Sequence, residues 1–126
     1  MMRLLISIFM LIFVIVLAGC AMGIKRQGYD AGVFEAGGAS SDCRVLIEKE
    51  ASFPENEIEV LGKVDVYDAG FSIKCDEFTV LEILRKEACA LGANLINITE
   101  DNSPDDWSTC YRVKAELLRT KISAPR

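Results

Sequence analysis

The spacing of apolar positions changes character along the chain. Residues 4–18 are an apolar run broken only by Ser7, residues 21–42 show no period, and from residue 43 onward apolar side chains recur at regular intervals. Residues 44–50 carry Val45 and Ile47 in alternation. Over residues 57–68, Ile58, Val60, Val64 and Val66 share one face, and Glu57, Glu59, Lys63 and Asp65 take the other. A period of two marks half-buried strands, so this stretch predicts two antiparallel strands joined around Phe53-Pro54-Glu55-Asn56. Gly62 falls on the buried face, where a missing side chain lets another backbone come close.

The period then becomes helical. Thr79-Val80-Leu81-Glu82 fits a capping box, Phe78 and Ile83 are placed as a hydrophobic staple, and Leu81, Leu84, Ala88 and Leu91 form one apolar stripe. Gly92 follows the last periodic residue as a left-handed cap should, and Glu82 with Lys86 makes an i,i+4 pair. Residues 95–99 predict a third strand. Residues 109–118 predict a fourth, with Tyr111, Val113, Ala115 and Leu117 opposite Arg112, Lys114 and Glu116. The expected fold is α+β: a single ββαββ domain, one four-stranded sheet covered by one helix, with a right-handed crossover through the helix making strands two and three parallel and a hairpin on either side.

Arg3 ahead of the apolar run gives the charged-then-apolar layout of a secretory leader. As a helix the 15-residue run reaches only ~23 Å, short of the ~30 Å hydrocarbon layer, although extension to Ile24 would make an uncleaved membrane anchor the alternative. The expected organisation is a cleaved signal peptide over 1–19, a lipidated start and flexible Gly/Ala/Ser tether over 20–42, and a globular domain over 43–126.

Leu17-Ala18-Gly19-Cys20 resembles the bacterial lipobox, small residues before a cysteine whose thiol receives diacylglycerol. The resemblance implies a thioether lipid on Cys20 and an acylated amino terminus, and several acyl chains anchor durably at ~0.8 kcal/mol per buried CH₂. Ala21 rather than aspartate after the cysteine points, by the enterobacterial sorting habit, to the outer membrane with the domain facing the periplasm.

Charge and missing residue types narrow the chemistry. The chain carries 14 basic and 19 acidic side chains, and without Arg3 the mature part has 13 against 19, a net of −6, which disfavours nucleic acid. Histidine is absent, which removes Ser/His and Cys/His pairs, histidine-ligated zinc and the commonest base near neutral pH. No cofactor is expected and no enzymatic activity. Four cysteines remain beside Cys20, an even number in an exported chain, so disulfides are the default over free thiols or a zinc site. Cys75, ahead of the helix, and Cys110, opening strand four, fall at one end of the sheet and are expected to pair. Cys89 lies ten residues into the helix, ~15 Å from where Cys43 would start strand one. Either the segment around Cys43 wraps beneath the helix and closes a Cys43–Cys89 bridge, or both stay unpaired.

Val60-Leu61-Gly62-Lys63-Val64, Leu91-Gly92-Ala93-Asn94 and Cys110-Tyr111-Arg112 together resemble a family of small envelope lipoprotein domains that includes the outer-membrane stress sensor of the Rcs phosphorelay. The likeness spans roughly residues 57–115. It implies a non-enzymatic lipoprotein that works by contact, and a bridge from the cysteine after strand two to the one in the Cys-Tyr-Arg string. The sensor's other cysteines flank its last hairpin, whereas this chain has Cys43 and Cys89.

Two regions are candidates for chemistry. The loop 100–107 gathers Asp101, Asp105 and Asp106 with Trp107, as a contact surface, a weak Ca²⁺ clamp lacking the EF-hand glycine and terminal glutamate, or a solvated hairpin with Trp107 over a disulfide. Glu48, Glu50, Glu55, Glu57 and Glu59 could pair for acid/base work, but outward-pointing strand carboxylates serve solubility. Asn97-Ile98-Thr99 matches a glycosylation acceptor by chance inside a strand. The expected function is a membrane-anchored binding or stress-sensing module that meets another envelope protein; an immunity-type lipoprotein against a toxin, and a small-ligand or metal-binding domain, are the alternatives.

Overall fold

The computed structural model describes residues 1, 2, 6–8, 22–36, 42–70 and 74–121. The lipobox expected at Leu17–Cys20 and most of the expected leader lie outside the described residues. Among the described residues no helix is long and apolar enough to cross a membrane.

Alternating side chains build strands β1 (Gly23–Gln27), β2 (Leu46–Lys49), β3 (Ile58–Tyr67), β4 (Leu95–Asn102) and β5 (Arg112–Thr120), with a short helix α1 (Val33–Ala36) and a main helix α2 (Glu77–Leu91). The strands form one sheet in the order β1-β3-β5-β4-β2. β1 and β3, β3 and β5, and β5 and β4 pair antiparallel, whereas β2 pairs parallel to β4.

The sheet has five strands where four are expected. Gly23–Gln27, inside the segment predicted to be a flexible tether, pairs along the end of β3, so the folded unit includes Met22–Gln27 as well as the residues from 43 onward. Five residues contain too few apolar positions for their period to register. The expected hairpin between β2 and β3 does not form either: β2 lies on the far edge beside β4. Eight residues separate β2 from β3, longer than the usual two to five of a hairpin. Alternation says which face a strand buries and not which strand it pairs with. β3 and β4 run in the same direction, as expected, but β5 is inserted between them.

The 50–57 segment crosses the sheet face opposite α2. Asn97 fixes it there, its amide donating to the Ala51 carbonyl at 2.9 Å and accepting from the Ala51 N–H at 3.0 Å, as a neighbouring strand would. Leu95 and Leu118, buried on this outer face, lie under the crossing. Beyond it the outer face is polar, in cross-strand rows: Lys25, Asp65, Lys114 and Glu100 in one, Gln27, Lys63, Glu116 and Asn97 in the next. Salt bridges of 3.0 Å (Lys63–Glu116) and 2.9 Å (Lys114–Glu100) join neighbours in these rows. This is the solvated side of a one-sided antiparallel sheet.

On the inner face Val80, Leu84 and Ala88 of α2 are buried against Val64, Val66, Ile96, Ile98, Val113, Ala115 and Leu117. Each valine, leucine or isoleucine among them contributes about 1.5–3 kcal/mol of burial. Val60, expected in this core, is 50% exposed. The register shifts between Val60 and Gly62, and this bulge at Leu61 turns Val60 to the outer face opposite Leu118.

The helix starts earlier than the capping box predicts. Asp76 is its N-cap, and its carboxylate accepts a 2.6 Å bond from the Thr79 hydroxyl. Phe78 therefore sits in the first turn, 70% exposed, instead of stapling to Ile83. Glu82 pairs with Arg85 at 2.7 Å rather than with Lys86. The exit is as expected: Gly92 adopts φ 73°, its N–H reaches Cys89 O and the Ala93 N–H reaches Ala88 O, a Schellman cap.

Candidate functional site

Two disulfides close the domain, Cys75–Cys110 and Cys43–Cys89. The first is the expected pair. The second is one of the two outcomes left open, and the parallel edge explains it: β2 begins where β4 begins, directly after the exit of α2, which Leu46 N–H marks by donating to Asn94 O at 3.1 Å. Cys43 thus meets the last turns of the helix. The apparent ~15 Å gap belonged to the hairpin that does not form. One bridge holds each end of α2.

The two ends of the sheet differ. At the entry end, where the chain comes in at Met22, are gathered the start of β1, the end of β3, the start of α2, the Cys75–Cys110 bridge and the loop 103–111. A cleft there is lined by Lys74, Asp76, Glu77, Pro104, Thr109 and Tyr111. Tyr67 is 36%, Phe78 70% and Trp107 95% exposed at this same end. At the far end Val45, Leu46, Phe53 and Leu95 line an apolar cleft, with Leu46 60% exposed.

The sequence-predicted contact loop is exposed, but two of its three aspartates are engaged in structural pairs. Asp101 lies in β4, where its carboxylate accepts from Lys49 at 2.9 Å and from the Tyr111 hydroxyl at 2.9 Å, and Lys49 chiefly holds it below the usual carboxylate range. Asp105 builds the loop itself. Its carboxylate accepts from the N–H groups of Trp107 and Ser108 and from Arg112 at 2.7 Å, and the Arg112 guanidinium lowers its pKa most. Asp106 and Trp107 face solvent. Trp107 does not cover the disulfide, because the Asp105 turn points it outward. Among the described residues no three His, Cys, Asp or Glu side chains are grouped to hold a metal ion. The glutamates of the acidic stretch do not converge: they spread over β2, the crossing segment and β3, and Glu59 pairs with Arg119 at 3.4 Å.

Sequence reasoning misses the buried cluster that locks the N-terminal segment down. Glu87, 2% exposed on α2, accepts from Arg26 Nε at 2.9 Å and Nη2 at 2.5 Å, and from the Tyr29 hydroxyl at 2.7 Å. The Arg26 guanidinium also lies 5.7 Å from the Phe34 ring centre. Tyr29 packs on Gly62, where a Cβ would come within 2.5 Å of its ring. The signal was present: Glu87 stands in the apolar stripe, three residues after Leu84, where an unpaired carboxylate would be costly.

Burial and the Glu87 carboxylate both push the Tyr29 hydroxyl above its ordinary value. A group whose pKa is raised by folding contributes stability that is intact below its unfolded value and lost as pH rises toward the folded one. The domain is therefore expected to lose stability above about pH 10. Tyr29→Phe should flatten that alkaline slope in a series of thermal melts, and an unchanged slope would remove Tyr29 as its cause.

Comparison with family models, with curated proteins and with solved structures finds no match to this chain.

Proposed function

We propose that this chain is a bacterial envelope lipoprotein, anchored through acylated Cys20, that acts by protein contact and not by catalysis. The observation that carries the reading is the adjacency of two features: a lipobox-like Leu17-Ala18-Gly19-Cys20 and, two residues later, Met22, already buried in the core at 9% exposure. Two peptide links span at most about 7.6 Å between Cα atoms, so a lipid on Cys20 would hold the domain against its membrane with no slack. Two disulfides in so short a chain favour an oxidising compartment, and Ala21 after the cysteine favours the outer membrane with a periplasm-facing domain. In this arrangement the far end, with its apolar cleft, looks away from the membrane, where a binding or stress-sensing partner in the envelope can reach it.

Cells fed radiolabelled palmitate test the anchor. The wild-type chain is expected to take up label and sediment with membranes, and Cys20→Ala to lose the label completely. Label retained in Cys20→Ala, or absent from the wild type, contradicts the reading.

A further inference from the structure

We infer that the entry end of the domain is a membrane-contacting surface, on which Tyr67, Phe78 and Trp107 rest in the headgroup region of the bilayer that holds the lipid. The inference rests on the anchoring of Cys20 proposed above. It adds an orientation and a set of lipid-facing side chains.

The chain's own connectivity selects the occupant of this surface. Gly23 pairs with Tyr67, the last residue of β3, and Val66 pairs with Val113 near the start of β5. The point where the chain enters the fold and the loop bearing Trp107 are therefore at one end of the sheet. Neighbouring strands lie about 4.8 Å apart, which places the β4–β5 loop about 12 Å sideways from β1, within the footprint of a single domain resting on a surface. The Cys75–Cys110 bridge, with Tyr111 N–H donating to Cys75 O at 2.9 Å, ties the first turn of α2, and so Phe78, to the same end.

Exposure points the same way. Among the described residues, of the large aromatic side chains with substantial exposure Phe34 stands apart on α1, and the other three lie at the end where the chain comes in. A tryptophan 95% exposed at a loop tip contributes nothing to the core, whereas at a membrane interface an amphipathic ring is well placed. Asp76, Glu77, Asp105 and Asp106 share this end with Lys74, with Lys25 over the Tyr67 ring and with Arg112, which pairs with Asp105, so no net positive charge draws anionic headgroups. The contact is with zwitterionic headgroups and the upper acyl chain.

Trp107 is the chain's single tryptophan and reports directly. The full-length lipidated protein, with its palmitate confirmed, is reconstituted into phosphatidylcholine and phosphatidylethanolamine vesicles, with or without phosphatidylcholine brominated near the top of the acyl chains. The expected result is emission at shorter wavelength than that of the lipid-free Cys20→Ala protein, a loss of emission to bromine, and no gain on adding phosphatidylglycerol. Palmitoylated, vesicle-bound protein whose Trp107 stays at the wavelength of water and escapes bromine overturns the inference and leaves the anchor standing. A blue shift without bromine quenching, in protein that runs as a dimer, overturns it in favour of contact between copies. Protein that carries no palmitate and does not bind vesicles overturns both.

Discussion

Replacing Cys43 and Cys89 together by alanine is expected to cost about 4 kcal/mol, and replacing Cys75 with Cys110 nearly as much. The bridges span 46 and 35 residues, and closing loops of that length removes about this much chain entropy from the unfolded state. A domain of this size has a total stability of only about 5–15 kcal/mol. The two loops overlap between residues 75 and 89, so their effects do not add fully, yet losing both should leave much of the protein unfolded at physiological temperature. The structural reason is local. α2 is the main helix on the inner face and one bridge fixes each of its ends, so without them it must hold its place chiefly by the burial of Val80, Leu84 and Ala88. Urea melts with and without reductant measure this. Coincident midpoints would mean that the bridges do not hold the fold.

The second large effect is expected at the buried ion pair. Arg26→Ala leaves Glu87, whose side chain is 3% exposed, with the Tyr29 hydroxyl as its one remaining partner among the described residues. Breaking a buried pair from one side costs about 3–5 kcal/mol; the Arg26 side chain is 21% exposed, so the lower part of that range is expected. Replacing both partners with apolar residues, Arg26→Met with Glu87→Leu, should recover most of the loss, because no charge is then stranded. The damage should be focused on the N-terminal segment. Among the described residues β1 is an edge strand paired with β3 alone, and with the lock removed, proteolysis should cut first between β1 and β2. An Arg26→Ala protein with unchanged Tm and unchanged cleavage would show that the pair does not hold β1 down.

The sequence is legible where a rule is local. The stripe through Leu84, Ala88 and Leu91, the left-handed Gly92 and the alternation of Val113, Ala115 and Leu117 each depend on neighbours within a few residues, and the structure keeps all of them. What was hidden depends on long-range partners. The destination of β2 on the far edge is decided by its pairing to β4, which no alternation encodes. The same misplacement is what leaves the Cys43–Cys89 bridge open in the sequence. Gly23–Gln27 reads as spacer because its burial comes from β3 on one side and from Glu87 above, not from a period of its own. In the candidate site, Trp107 was visible as an unusual residue, but its grouping with Tyr67 and Phe78 required knowing that the ends of β3, the Cys75 bridge and the β4–β5 loop coincide.

The mass of the chain's first peptide, taken from protein purified from the cells that make it, tests the central claim most directly. Anchoring at Cys20 predicts a chain that begins there, carrying diacylglycerol and an N-acyl group, with Cys43, Cys75, Cys89 and Cys110 resistant to alkylation until a reductant is added. A chain that still begins at Met1, with an unmodified Cys20 and four reactive thiols, would contradict it.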